Sequence, residues 1–327
     1  MRYYTITFSD STTGQPLRDA NGQQIGPFTS LKNGQTILGA LDVEFDVPMT
    51  TFDAPMGAAF VKVHGVGLQT ISNAANINDA NVKLYVGMAK GLPLANPGQQ
   101  GLILDGTVQQ AFGNWQGTQQ SLDIVAYANS GTEADPLNFV LDWRKGQQLG
   151  DALVSAIQGG MPSAKVVNEV KTNLTLTTDN QPGFYSTLGR LANYVNSVSR
   201  DMVGGDYTGV RIIPTQGGVL ISDGTTPKVP TVIAFTDLIG QPTWGGPNVI
   251  NFKVVMRGDI QVDQFVRLPK GQTILTAQSY DRYRDKTTFN GLCRVQSVRH
   301  MGHFRQRTAD SWVTVIEASA IPETLAL

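Results

Sequence analysis

The first residues of the chain read Met1-Arg2-Tyr3-Tyr4-Thr5-Ile6-Thr7-Phe8, with aromatic or aliphatic side chains at every second position from Tyr4 onward. Successive side chains of a β-strand point to opposite faces of its sheet, so such alternation is typical of a strand with one buried face. The opening residues therefore predict a strand, and the same pattern recurs through much of the chain.

Further strand patterns follow within the first 130 residues. Asn-Gly pairs at 21–22 and 33–34 favour tight turns between them. This segment has six basic and nine acidic residues. We predict a first β domain over 1–130, with additional strands at 41–47, 59–66, 82–88, 101–112 and 121–128.

The pattern changes after a predicted linker at 131–136. Apolar residues at Leu149, Leu153 and Ile157 share one face of a short predicted helix. A second helix is predicted from the stripe Phe184, Leu188, Leu191, Val195 and Val198. We interpret 131–228 as an α+β middle domain of two strand–helix–strand units, with strands at 138–141, 164–170, 173–177, 210–213 and 218–222.

The last segment, 229–327, returns to strand patterns at 249–256, 261–268, 288–300 and 311–319. It has eleven basic and eight acidic residues, so its net charge is opposite to that of the first segment and favours contact between the two. The predicted fold class is mainly β with a smaller α+β part.

The composition of the chain argues against some classes of function. The 327 residues have a net charge of -1, which argues against a strongly basic nucleic-acid binder. Charged residues make up 16% of the chain, against about 25% in an average soluble protein. Burial in protein interfaces or an all-β fold with many turns would each explain this, and both stay open. The sequence contains no apolar run of about 18 residues, so no membrane span is predicted.

Residues that could support catalysis are sparse. The single cysteine, Cys293, is predicted to be a buried strand residue. The pair His300 and His303 lies between two predicted strands, where a turn is expected, and has too few neighbouring ligands for a zinc site. We therefore predict a solvated hairpin turn at 300–303. The sequence has no nucleophile elbow and no phosphate-binding loop. We therefore predict no catalytic, cofactor-binding or metal residues and no enzymatic activity.

Two sets of side chains permit other interpretations. The stretch 281–307 is rich in arginine and could contact nucleic acid, but interspersed acidic residues favour polar strand faces and ion pairs between subunits. The four tryptophans could stack on sugars, although packing is the commoner role of this residue. They are Trp115, Trp143, Trp244 and Trp312.

Three stretches resemble the baseplate hub proteins of contractile-tailed phages. Residues 101–108, GLILDGTV, with Phe112, Trp115 and 122–124 resemble that family's pair of strands around a D/E-G-T turn. Residues 235–244, FTDLIGQPTW, are similar to its LIGQP segment, which leads into a strand. The stretches 295–302 and 312–318 resemble its closing hairpin.

The resemblance implies two tail-tube-like β-barrel domains, 1–130 and 229–327, flanking the middle domain. It implies a structural virion protein that forms a homotrimeric central hub and joins the six-fold tail tube to the three-fold spike. Expected partners are the tail tube or tube-initiator protein, the central spike, neighbouring baseplate proteins and DNA in transient, non-specific passage. The protein would be assembled in the host cytoplasm and reside in the tail baseplate. Gln241, Pro242 and Trp244 are the presumed interface residues.

Two other functions stay open at this point. One is a β-rich tail protein that binds or hydrolyses cell-envelope polysaccharide. The other is a spike component of a type VI-like contractile injection system, which would share the architecture of the hub.

Overall fold

A computed structural model describes residues 2–19, 21–54, 57–88, 97–128, 137–162, 164–205, 207–215, 218–246, 248–269 and 291–325. The opening alternation forms a strand in which Tyr4, Ile6 and Phe8 are buried, as predicted. The first segment consists of β1 (Arg2–Ser9), β2 (Phe28–Thr29), β3 (Leu31–Lys32), β4 (Gln35–Thr36), β5 (Asp42–Met49), β6 (Ala59–His64), α1 (Leu68–Ser72), β7 (Asn81–Met88), β8 (Gly101–Gln116) and β9 (Gln119–Ala128).

The middle of the chain contains the two longer helices. Leu149, Leu153 and Ile157 of the first of them are buried together, because they repeat at helical spacing on one face. Its elements are β10 (Phe139–Trp143), α2 (Leu149–Gly160), β11 (Lys165–Glu169), β12 (Gln181–Tyr185), α3 (Leu188–Val203), β13 (Arg211–Thr215) and β14 (Gly218–Ser222). The linker predicted at 131–136 lies outside the described residues.

Two predictions in this middle part are wrong. Phe184 does not begin a helix; it lies in β12, opposite Val140 of β10, and is 80% exposed. The predicted strand at 173–177 forms only an isolated bridge through Thr175. The chain starts its helix at Leu188 because Thr187 is an N-cap whose side chain accepts a hydrogen bond from the Arg190 backbone N–H.

The last segment is again built of strands. They are β15 (Thr231–Val232), β16 (Thr243–Gly246), β17 (Val249–Val255), β18 (Phe265–Arg267), β19 (Leu292–His303) and β20 (Trp312–Ala320). Together with seven strands of the first segment they form one sheet of thirteen strands in the described part of the chain, and β3 and β4 pair only with each other. Its main path is β16-β17-β20-β19-β5-β6-β9-β8-β7-β1-β2, and β18 and β15 branch from β19. The fold is mainly β with a smaller α+β part, as predicted.

The two β segments repeat the same strand order. The first gives β5-β6-β9-β8-β7-β1 and the last gives β16-β17-β20-β19-β18-β15. When the six strands on each of these paths are counted along the chain, with the two-residue strands β2, β3 and β4 left out, both orders are second, third, sixth, fifth, fourth and first. One pairing differs in direction, since β1 and β7 are antiparallel whereas β15 and β18 are parallel. Such an order is improbable by chance and indicates two copies of one architecture.

Three apolar cores underlie these elements, one in each segment. Each core also takes side chains from a neighbouring segment. Trp312 and Met256 join the first core, Phe52 joins the middle core, and Ile213 joins the last. The predicted domain boundaries at 130/131 and 228/229 stay a prediction.

Candidate functional site

The two β copies are joined edge to edge by β19 and β5. These strands are antiparallel, with Val298 opposite Met49, Met301 opposite Asp46 and His303 opposite Glu44. The pairing converts two sheets into one continuous sheet, because each strand satisfies the backbone groups that the other would leave unpaired. We call this pairing the internal seam, and it is the site from which the functional argument proceeds.

On the face turned away from the cores, the internal seam is ionic. Asp42, Glu44 and Asp46 alternate along β5, so they point the same way. Arg299 donates to Asp46 through Nε at 2.8 Å and also through its terminal guanidinium nitrogen. His303 Nε2 lies 3.0 Å from Asp42 Oδ2, and His64 Nε2 lies 2.7 Å from Glu44 Oε1.

A glycine on β19 lets the internal seam close on its core face. Gly302 lies beneath the rings of Phe45 and Trp312, which meet edge to face at 5.1 Å between centroids. A Cβ at this position would collide with the Phe45 ring and lie 2.8 Å from a Trp312 ring atom. Because aromatic rings in a packed core have little room to retreat, the position requires glycine for steric reasons alone.

Gly302→Ala should lower the free energy of unfolding by about 1–3 kcal/mol, since overpacking forces the Phe45 and Trp312 rings apart. Urea denaturation would measure this loss. Gly39→Ala is the matched control, because a Cβ on Gly39 meets no atom within 4 Å. Equal stabilities for the two variants would contradict the steric argument.

His300 and His303 do not lie in a hairpin turn, as the sequence analysis predicted, but within β19. They face opposite sides of the sheet. His300 is fully buried, its Nδ1 lies 3.0 Å from Thr314 Oγ1, and burial lowers its pKa to about 3. The described residues contain no group of three or more His, Cys, Asp or Glu side chains arranged to hold a metal ion.

Three described arginines of the stretch 281–307 have partners within the chain. Arg294 pairs with Asp263, Arg299 pairs with Asp46, and Arg305 donates to the Ala40 carbonyl at 2.5 Å. Arg294 and Arg299 thus form ion pairs within the chain, and ion pairs between subunits stay a prediction. Residues 281–286 lie outside the described part.

Cys293 is buried, as predicted, and burial raises the pKa of its thiol to about 12. It neighbours Arg294, which forms an ion pair with Asp263 in the turn before β18. Because the thiolate is the reactive form of cysteine, this side chain is chemically inert in the folded protein.

The presumed interface residues lie at one end of the sheet. β16 is the terminal strand of the main path; Trp244 is half-buried within it, and Pro242 is buried just before it. Gln241 is exposed and follows the bend at residues 239–240. The structure thus brings all three to the strand that ends the described sheet, and their role as an interface stays a prediction.

The tryptophans do not form a sugar-binding platform together. Trp143 and Trp312 are fully buried in two different cores, and Trp115 is exposed at the tip of the β8–β9 hairpin. Among the described residues, no helix is both long and apolar enough to cross a bilayer.

Comparison with solved structures supports the fold. An E. coli protein described as a component of the type VI secretion system, with structural similarity to the T4 bacteriophage tail proteins gp27 and gp5, aligns with 88% of this chain and 76% of its own at a TM-score of 0.51 and 8% identity. A tail protein from Neisseria meningitidis MC58 aligns over 97% and 96% of the chains at a TM-score of 0.49 and 10% identity. The 43 kDa tail protein of prophage MuSo2 from Shewanella oneidensis aligns over 86% and 97% at 0.49 and 8% identity.

No family model matches the sequence, and no curated protein matches it. At such low identity, the alignment with the E. coli protein shows a shared fold.

Proposed function

We propose that this chain is a structural, non-enzymatic tail protein that forms the homotrimeric hub of a baseplate. In this role it joins the six-fold tail tube, or a tube-initiator protein, to a three-fold central spike, and it resides in the virion tail. Neighbouring baseplate proteins are further partners, and DNA passes through the central channel without specific contacts.

The repeated strand order carries this proposal. A ring that mates with a six-fold tube needs six similar modules, and a three-fold spike needs three identical chains. A chain with two modules of one architecture meets both requirements when three copies form a closed ring. The internal seam supports the same conclusion, because it shows how two such modules join through their strands.

The fold shared with the E. coli protein adds a second line of support. That protein is described as similar to two phage tail proteins, and its alignment includes 88% of this chain. Likeness of fold alone does not establish function, so the oligomeric state is the decisive measurement. The same likeness suits a type VI-like spike component, which differs in its biological setting and would be distinguished by its neighbouring genes.

Mass photometry of the purified chain should show a species at three times 35.2 kDa, because three copies are needed to close the ring. Averaged electron micrographs of the same sample should show six lobes in a ring. Mixing with tube and spike proteins is the control for a trimer that forms only with its partners. A strict monomer in both experiments would contradict the hub proposal.

A further inference from the structure

The longest hairpins of the two β copies, β8–β9 and β19–β20, can be matched residue by residue through a shared irregularity. The β8–β9 hairpin has a register shift at Gln109, and the β19–β20 hairpin has one at Gln296. When these bulges are equated, residues 111–116 of β8 correspond to 298–303 of β19. In the internal seam, 298–303 is the stretch that pairs with β5.

The partner strand can be matched in the same way. Through the pairings with β9 and β20, Lys62 of β6 corresponds to Lys253 of β17. The next strand outward is β5 in one copy and β16 in the other. Its pairings place Asp46 in register with Thr243, and the residue after each, Val47 and Trp244, also correspond.

β8 matches β19 and β16 matches β5, so these two strands are the counterparts of the internal seam. In the described sheet they are not paired with each other. β16 ends the described sheet. The stretch 111–116 of β8 is in register with β9 only, whereas its counterpart in β19 is in register with both β20 and β5. The register of β7 with β8 ends at Thr107, Val108 exchanges backbone hydrogen bonds with residues 79–80, and the Ala111 N–H donates to Asn78 Oδ1, so in the described part of the chain this edge of β8 is open from Phe112 onward. One chain therefore offers both halves of a second seam at two separate edges.

We propose that β16 of one chain pairs with residues 112–116 of β8 in the next chain, in the antiparallel register of the internal seam. Gly113 then lies opposite Trp244 of the neighbouring chain, and Asn114 lies opposite Thr243 of that chain. Three such contacts close a ring in which each chain contributes the eight strands from β16 to β8. This inference rests on the proposed trimer and adds the strands and register that build it.

The second seam differs from the internal one in its charge. Arg299, Asp46 and Met301 of the internal seam correspond to Phe112, Thr243 and Asn114. The outward side chains that meet between neighbouring chains are therefore uncharged. Phe112, which is 38% exposed, comes to lie over the Gly245-Gly246 pair, where an aromatic side chain covers the open backbone of glycine.

A cysteine pair tests the register. Asn114→Cys with Thr243→Cys places two thiols directly opposite each other across the second seam, within the span that a disulfide bridges. After mild oxidation, the double variant should give a covalent trimer on a non-reducing gel, because each chain then forms one disulfide with each of its two neighbours. A mixture of the two single variants should give covalent dimers and no trimer, which shows that the bond joins different chains.

Met301→Cys with Asp46→Cys is the matched control, since these residues form the corresponding pair within the internal seam. This variant should form a disulfide within one chain and report that the register position accepts one. The native Cys293 is buried and stays out of the reaction.

The same samples separate the two proposals. A trimer by mass photometry that gives no covalent trimer, while the control pair oxidises, overturns the second seam and leaves the hub intact. A monomer that remains monomeric with tube and spike proteins overturns the hub itself. Trp244→Ala should reduce the trimer fraction, and an unchanged fraction would count against the β16 contact.

Salt gives an independent test, because only the internal seam is ionic. Raising NaCl from about 0.05 M to about 1 M shortens the screening length several-fold. The trimer fraction in mass photometry should change by less than about two-fold over this range, since the second seam has no ion pairs to screen. Dissociation at high salt would overturn the uncharged seam.

Discussion

Arg294→Met should lower the free energy of unfolding by about 3–5 kcal/mol, one of the two largest effects that the structure predicts. Arg294 is 6% exposed and Asp263 is 1% exposed. Arg294 Nε donates to Asp263 Oδ1 at 2.5 Å, and Lys228 Nζ contacts Asp263 Oδ2 at 2.7 Å. Removing the arginine leaves a buried carboxylate with one cation instead of two.

The electrostatics of Asp263 explain the size of this effect. Burial by itself would raise the pKa of its carboxyl group, but Arg294 and Lys228 hold that pKa below its usual range. Asp263 is therefore ionised in the folded protein, and the arginine provides much of the compensation for its desolvation. Lys228 also contacts Glu169 Oε2 at 2.9 Å, so the same cluster ties the middle part of the chain to the last segment.

Arg299→Met is the matched control for this measurement. Arg299 lies on the same strand and also pairs with an aspartate, but both side chains of that pair are largely exposed. Exposed pairs contribute about 0.2–1 kcal/mol, so the control should unfold almost like the parent protein. Urea denaturation at one fixed protein concentration keeps assembly from shifting the comparison. Similar losses in both variants would contradict the argument that the buried charge of Arg294 stabilises the fold.

Local patterns predicted the elements whose burial follows one period. The alternation at Tyr4, Ile6 and Phe8 predicted β1, and the stripe from Leu188 to Val195 predicted α3, because one buried face dominates each of them. Asn33 and Gly34 predicted the turn between β3 and β4, and both adopt positive φ there. These signals are local, so the sequence alone contains them.

Other elements depend on contacts that no local pattern encodes. β12 contains Pro182 and Gly183, which disfavour strands, and it forms because β10 pairs with it along its whole length. His300 and Gly302 suggested a turn, but β19 runs through them because it pairs with β5 and β20 at once. Tertiary pairing outweighs local propensity in both places.

The candidate site was predictable in part. Residues 235–244 drew attention to Gln241, Pro242 and Trp244, which lie on or beside the strand that ends the described sheet. The seam between β19 and β5 could not be predicted, since its strands are about 250 residues apart. The buried ion pair outside the seam did leave a signal: Arg294 interrupts the apolar run of residues 292–295, and a charge within a buried strand indicates a buried partner, which is Asp263.

His300 should make the protein lose stability as the pH falls, and this is the second large effect. The unfolded side chain takes up a proton near pH 6.5, whereas burial lowers the folded pKa to about 3. Between these values the unfolded state binds more protons, so each pH unit of acidification costs about 1.4 kcal/mol. The contribution is fully present above about pH 6.5 and is lost progressively toward pH 3.

Removing His300 should flatten this dependence. The parent protein should lose about 3 kcal/mol more than His300→Gln when urea denaturation is compared at about pH 7.5 and about pH 4. Titration of carboxylates such as Asp263 is common to both proteins and cancels in the difference. Gln can still bond to Thr314 Oγ1, which lies 3.0 Å from Nδ1 of His300 and also accepts the Arg257 backbone N–H. Parallel pH profiles would mean that His300 is protonated in the folded state, which its buried place between β5 and β20 argues against.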